Sequence, residues 1–159
     1  MADLLWSSYK AAAADCLDAA NLNSLADDCW AATNEGSDTI TEIDNSTNKY
    51  MLMDVIIDLA SLNITATDAV VKIVVIPLVD GTNTPHYVVD HSTAASNLIP
   101  SSYGVHIAKF NVLNGAQMQS IERIPIGPNK FEVLVGNALG VSFAASSNTV
   151  KYRAYTPTS

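Results

Sequence analysis

The acidic pair most suggestive of chemistry is Asp54 and Asp58, which lie four residues apart in an alternating apolar segment. In a strand this spacing places both carboxylates on one face. Four residues of extended chain separate them by about 13 Å, which is more than a pair of glycosidase carboxylates needs. The spacing therefore indicates a solvent-facing strand surface and not a hydrolytic pair.

The sequence also contains few residues that could bind a metal. His86, Asp90 and His91 lie within the segment PHYVVDH, and His106 is farther along the chain. A zinc or transition-metal site needs a further well-spaced ligand, which this segment lacks. VDGTN, at Val79–Asn83, has the glycine of a calcium loop without its alternating acids and closing glutamate. We expect a tight turn there and no metal.

Motifs for covalent or phosphate chemistry are absent from the sequence. The chain has no nucleophile elbow, no phosphate-binding glycine loop and no Cys–His pair within one motif. Asn45 and Asn63 begin glycosylation-type triplets, which matter only in a secreted chain. The sequence predicts a protein that is not an enzyme and carries no cofactor.

The composition points to a protein covered by partners. The 159 residues are most simply one domain, 48% hydrophobic and only 15% charged. Low charge with high apolar content favours an obligate oligomer or a larger assembly. The net charge of −8 disfavours nucleic acid and anionic membranes as partners.

The sequence features that indicate cellular location predict that the chain folds in a cytoplasm. The opening MADLLWSSYK lacks the basic start and apolar core of a secretion signal, and no apolar run is long enough to span a bilayer. Cys16 and Cys29 are too few for a disulfide framework and lack zinc-ligand neighbours. We expect two buried free thiols.

The first 48 residues differ in pattern from the rest. Apolar residues recur at three- and four-residue steps between Leu5 and Ala20, which predicts a short helix with Ser7 or Ser8 as N-cap. Asn21–Asn48 is rich in small polar residues and is interpreted as irregular chain. Residues 1–48 are thus predicted to form an N-terminal arm that stands apart.

From Lys49 onward the sequence alternates with period two. YMLMDVIIDL is typical of a half-buried strand, whereas Ala69–Val79 is apolar on both faces. The latter strand should be central, or covered outside by the arm or a neighbouring subunit. The remaining strand candidates are Gly104–Leu113, Gln117–Ile124, Lys130–Val135, Gly140–Ala145 and Thr149–Tyr155, the last two as a hairpin.

These strands, joined by short turns, predict the fold class. We expect a mainly β, antiparallel β-sandwich, jelly-roll-like, over residues 49–155, preceded by the arm with its short helix. Residues 156–159 form a C-terminal tail, and Thr82–Tyr103 is interpreted as a surface loop.

Four segments, taken in order, resemble a family of tailed-bacteriophage virion proteins. They are LNSLADD (Leu22–Asp28), IDNSTNKYMLMDVIIDLASL (Ile43–Leu62), IPLVDGTN (Ile76–Asn83) and NKFEVLVGNALGVSFAASSNTVKYRAY (Asn129–Tyr155). The chain departs from the family pattern at Asp27-Asp28-Cys29, where a glycine is usual, and in the loop Thr82–Tyr103.

The resemblance implies a capsid decoration (cement) protein, without catalytic residues, on the outer surface of the virion. Its expected partners are the major capsid protein and further copies of itself, most simply as a homotrimer, assembled in the bacterial host cytoplasm. The alternative is a carbohydrate-binding or receptor-binding β-sandwich module of a tail or fibre. Candidate capsid or oligomer contacts, which fill the domain's own core in the alternative interpretation, are Trp6, Tyr9, Leu22, Leu25 and Trp30.

Overall fold

The computed structural model describes residues 5–6, 13–32, 42–64, 66–78, 106–111 and 114–158. These residues form ten strands and one helical turn. In chain order the elements are β1 (Leu5–Trp6), β2 (Ala14–Asp15), α1 (Ala19–Leu22), β3 (Trp30–Ala32), β4 (Leu52–Leu62), β5 (Val70–Pro77), β6 (His106–Asn111), β7 (Gly115–Pro125), β8 (Phe131–Ala138), β9 (Thr149–Tyr155) and β10 (Pro157–Thr158).

Eight of the strands build two four-stranded antiparallel sheets. The first sheet has the order β2-β9-β4-β7 and the second sheet the order β3-β8-β5-β6, while β1 and β10 form a separate two-stranded ribbon. The strands pair in a nested order, as in one long hairpin that is folded into a sandwich. The nested pairs are β2·β9, β3·β8, β4·β7 and β5·β6. This is jelly-roll connectivity. The predicted mainly β sandwich is confirmed.

Strand β4 supplies the first sheet's side of the core. Met53, Val55, Ile57 and Leu59 are all buried, and the residues between them are half-buried on the outer face. Full burial of each such side chain contributes about 1.5–3 kcal/mol. Met51, assigned from the sequence to the same face, precedes the strand and is 58% exposed.

Strand β5 is central in the second sheet, which is one of the two arrangements that its two apolar faces predicted. It lies between β8 and β6, and Val71, Ile73 and Val75 point into the core shared with β4. Val74 and Ile76, on the other face, are also buried and form a second apolar cluster with β8. The outer surface of this sheet is therefore unlike an ordinary solvated strand face.

The predicted N-terminal helix is wrong at the described residues that precede Ala19. Leu5–Trp6 and Ala14–Asp15 are strands, and only Ala19–Leu22 is helical. An alanine-rich stripe offers little area to bury on a helix, whereas strand pairing satisfies the backbone within a sheet. The proposed N-caps, Ser7 and Ser8, lie outside the described residues.

The segment predicted to stand apart as an arm is part of the sandwich from residue 13 onward. Strands β2 and β3 pair with β9 and β8, and the latter strand lies within the supposedly irregular Asn21–Asn48. Cys16, Leu17 and Leu22 are buried in the core. Residue 48 is therefore not the boundary between an arm and a β domain.

The predicted hairpin at the C-terminal end is also wrong. Gly140–Ala145 contains no strand; instead the Phe143 N–H donates to the Leu25 carbonyl and the Ser24 N–H to the Ala144 carbonyl, both over 3.0 Å. Strand β9 pairs with β4 and β2 rather than with its neighbour in sequence. The other strand candidates are strands, shifted at their ends by a few residues.

Candidate functional site

The outer face of the first sheet carries an open depression of about 320 Å³. Strands β4, β7 and β9 contribute its lining, which we name the charged depression. Its lining residues are Asp54, Ile56, Met118, Gln119, Ser120, Glu122 and Arg153.

The register of the three strands explains this collection. Arg153 of β9 lies directly opposite Asp54 of β4, and Ser120 of β7 lies opposite Ile56. Met118 lies opposite Asp58, one step farther along the same face. Because directly opposed side chains share a face with Cβ atoms about 4.5–5.5 Å apart, residues distant in sequence become neighbours here.

Asp54 is held rigidly at the upper end of the charged depression. Its Oδ1 accepts a hydrogen bond from the Arg123 backbone N–H at 3.0 Å and another from the Tyr155 hydroxyl at 2.9 Å. Two donors on one oxygen restrict the rotation of the carboxylate. Among the described residues, Oδ2 accepts no hydrogen bond.

A β-bulge in β7 makes the first of these bonds possible. Met53 is opposite Ile124 and Val55 is opposite Ile121, so two residues of β7 face the single residue Asp54. Arg123, in the bulge, has φ +61°, a left-handed conformation that is uncommon for a residue other than glycine. Such bulges bend a strand and re-aim its side chains and amides.

A second distinctive surface lies on the opposite side of the sandwich. Trp30 of edge strand β3 is half-buried and packs on Val74, Ile76 and Leu134, and we name these four residues the Trp30 face. The Lys72 Nζ lies 5.9 Å from the centre of the Trp30 ring, within cation–π range.

Gly136 explains how the Trp30 ring lies so close to the sheet. Trp30, Gly136 and Lys72 occupy one cross-strand row. A Cβ on Gly136 would lie 2.7–2.8 Å from three ring atoms of Trp30. The glycine thus leaves the space into which the indole fits.

The five residues predicted as contacts lie in different environments. Leu22 is fully buried in the core, so it is not available to a partner, and Leu25 is partly buried against that core. Trp30 is half-buried on the outer surface. Trp6 lies in β1, and Tyr9 lies outside the described residues.

The remaining residues singled out from the sequence are partly outside the described residues. His86 and His91 lie outside the described residues, and the part of the chain that is described holds no group of three or more potential metal ligands. Cys16 and Cys29 are both free and buried. Burial, helped by the charge of Asp15, raises the pKa of the Cys16 thiol far above its usual range, which favours the protonated form.

The DNSTN segment has a structural role. The buried Asn45 side chain donates to the carbonyls of Tyr50, at 2.9 Å, and Gly127, at 2.6 Å, and accepts from the Tyr50 N–H at 2.8 Å. Beside it, the Ser46 hydroxyl and then its backbone N–H lower the pKa of Asp44 by hydrogen-bonding its carboxylate. Because Asn45 is buried, its glycosylation-type triplet is inaccessible in the folded chain.

Comparison with known proteins adds no relative. No protein-family model matches the chain, and neither a curated protein nor a solved structure matches it significantly. Among the described residues, no helix is long and apolar enough to cross a membrane.

Proposed function

We propose that this chain is a non-enzymatic virion structural protein of a tailed bacteriophage: a decoration protein that binds the outside of the head across major capsid protein subunits. The observation that carries the proposal is the chemical contrast between the two outer faces of the sandwich. It adds to the resemblance of the four sequence segments to phage virion proteins.

The Trp30 face supports a protein-covered surface. Outer faces of sandwich sheets usually carry polar residues, whereas this one has a half-buried tryptophan. Val74, Ile76 and Leu134 beneath it are already buried within the chain, so the surface offered to a partner is the exposed part of the Trp30 ring with Lys72 beside it. Tryptophan is among the residues that contribute most to protein interfaces, and its glycine-backed position holds the ring rigid. We therefore assign this face to the shell.

The opposite face supports exposure to solvent. Its outward residues include Asp54, Asp58, Lys151 and Arg153, and Lys151 forms a surface ion pair with Asp15 at 3.8 Å. A net charge of −8 suits the outside of a shell better than contact with packaged DNA. We infer that this face points away from the capsid.

Assembly as a homotrimer is part of the same proposal. Three linked copies bind several shell subunits as one unit at high effective concentration, and a local three-fold axis matches a cyclic trimer. Light scattering of the purified chain and counting of copies on particles test this point. A monomer both in solution and on particles would contradict the trimer.

The test of the function uses phage particles lacking this chain, mixed with the purified full-length protein. We expect saturable binding to heads in a sedimentation assay and density on the head surface in electron microscopy. Binding only to tails or fibres would favour the receptor-binding alternative, and absence of binding to any particle would refute both.

Two charge reversals provide matched variants for the orientation. Lys72→Glu places a carboxylate beside the Trp30 ring, and Lys151→Glu makes the same change on the opposite sheet. We expect Lys72→Glu to weaken binding by tenfold or more, as at an interface centre, and Lys151→Glu to leave it within about twofold. The reverse result would show that the charged side faces the shell.

A further inference from the structure

We propose that the charged depression binds a neutral sugar ring. This site goes beyond the decoration role, because it lies on the sheet opposite the Trp30 face and needs no capsid to be tested.

The polar groups of the charged depression fit hydroxyls. Asp54 offers Oδ2 as an acceptor that is not used by the described residues, and Arg153, directly opposite, offers guanidinium donors that form no ion pair among those residues. A carboxylate only accepts hydrogen bonds and a guanidinium only donates them. Adjacent hydroxyls of a sugar can do both, so one ligand satisfies the two side chains together.

The apolar groups of the charged depression fit the carbon face of a pyranose. Its lining includes Ile56, which is half-buried, and Met118, which is 69% exposed. Large side chains so exposed are costly to leave in water, and methionine adapts its shape to a ligand. A ring with one C–H face and several hydroxyls suits this mixture of surfaces.

The charges of the lining argue against an ionic ligand. Asp54 and Glu122 repel an anion, while Arg153 lies where a cation would have to approach Asp54. The volume of about 320 Å³ lies at the lower end of the range for small-molecule sites. A ligand that fits this volume is a monosaccharide or the terminal sugar of a short oligosaccharide.

The site is also preorganised. The β7 bulge and the Tyr155 hydroxyl fix Asp54 before any ligand arrives, so little order has to be acquired on binding. The strained φ of Arg123 is the backbone feature that maintains this geometry. No aromatic residue lines the charged depression, and we therefore expect millimolar affinity rather than tight binding.

The test is a nuclear magnetic resonance titration of the full chain with methyl α-D-mannopyranoside, methyl α-D-glucopyranoside and methyl β-D-galactopyranoside, after a screen on a glycan array. We expect amide shifts for at least one sugar, centred on Asp54, Ile56 and Arg153. Shifts centred on Trp30, or no binding to array or titrated sugar, would overturn the proposal.

Two substitutions and a control make the assignment specific. Asp54→Asn keeps Oδ1 for Arg123 and Tyr155 but replaces the Oδ2 acceptor, and Arg153→Gln removes the guanidinium. Each should weaken binding by about tenfold or more, as loss of a hydrogen bond to a charged group does. Lys72→Gln, on the opposite sheet and outside the lining, should bind as the parent does. Equal binding by all three variants would refute the site even if sugar binding itself were found.

Discussion

Gly136→Ala is expected to destabilise the fold through a single contact, that with the Trp30 ring. The new methyl group would lie 2.7 Å from the nearest ring atom, whereas ordinary van der Waals contact begins near 3.4 Å. The ring would have to retreat by about 0.7 Å, and a gap of that size forfeits a quarter to a half of the attraction between surfaces.

The size of the effect follows from the burial of Trp30. A tryptophan can bury about 150–250 Å² at about 25 cal/mol per Å², which gives about 2–3 kcal/mol for a half-buried ring. Losing up to half of this, with some strain, costs about 1–2 kcal/mol. In a Trp30→Ala background the clash is gone, and Gly136→Ala should instead stabilise by about 0.5–1 kcal/mol, because alanine suits a strand better than glycine.

Thermal and urea unfolding of the four proteins in this double-mutant cycle measures the effect. We expect Gly136→Ala to lower Tm by about 2–8 °C in the parent chain and to raise it slightly without the ring. Gly127→Ala is the matched control, since no atom lies within 4 Å of a Cβ at that position. Additive effects of the two changes, or an unchanged Tm for Gly136→Ala, would show that the indole does not lie on this glycine.

Three further outcomes are expected. Asn137→Ala should cost about 2–4 kcal/mol in urea unfolding, because the buried amide bonds two carbonyls and one N–H; a loss below 1 kcal/mol would refute this. Neither Cys16 nor Cys29 should react with Ellman's reagent until urea is added, and rapid native labelling would contradict their burial. Ser46→Ala should raise the pKa of Asp44 toward its ordinary value in a carbon-detected titration. Because the folded pKa is the depressed one, the stabilisation from this carboxylate is present at neutral pH and is lost as the pH falls through that pKa, and an unchanged titration would rule out the Ser46 contribution.

The long strands could be predicted from the sequence because their burial pattern is periodic. Strand β4 alternates over most of its length, and β5 is apolar on both faces because it is central and because its outer face lies beneath Trp30. In both strands the local pattern and the tertiary environment agree. Apart from the exposed Met51, the inward face of β4 followed from residue types, and the central position of β5 was one of the two arrangements that they predicted.

The short strands could not be predicted, because their partners define them. Strand β2 has two residues and β3 has three, too few for any period to show. Their pairing with β9 and β8 depends on residues more than 100 positions away. The alanine spacing before Leu22 had a helical period without the bulky side chains that stabilise a packed helix.

For the charged depression too, the sequence predicted the features that depend on neighbouring residues and not those that depend on distant strands. That Asp54 faces outward with Asp58 followed from their spacing. Its neighbour Glu122 comes from β7, whose register is shifted by a bulge that leaves no signature in composition, and Arg153 comes from β9, which lies almost 100 positions farther along the chain. The proximity of an acidic and a basic residue on different strands can be predicted only when the register between those strands is known.

The nested pairing of the ten strands ties the chain ends to the same structure. Each strand pairs with the one equally distant from the other end of the chain, from β1 with β10 inward to β5 with β6. Strands β2 and β3, near the start of the chain, therefore complete the two sheets, and the buried Cys16, Leu17 and Leu22 belong to a core that β9 also lines. Removing the first 28 residues would expose β9 and take three apolar side chains from this core, which costs several kcal/mol. A capsid-binding role must accordingly be tested with substitutions on the faces of the intact sandwich, since no separable arm extends from residue 13 onward.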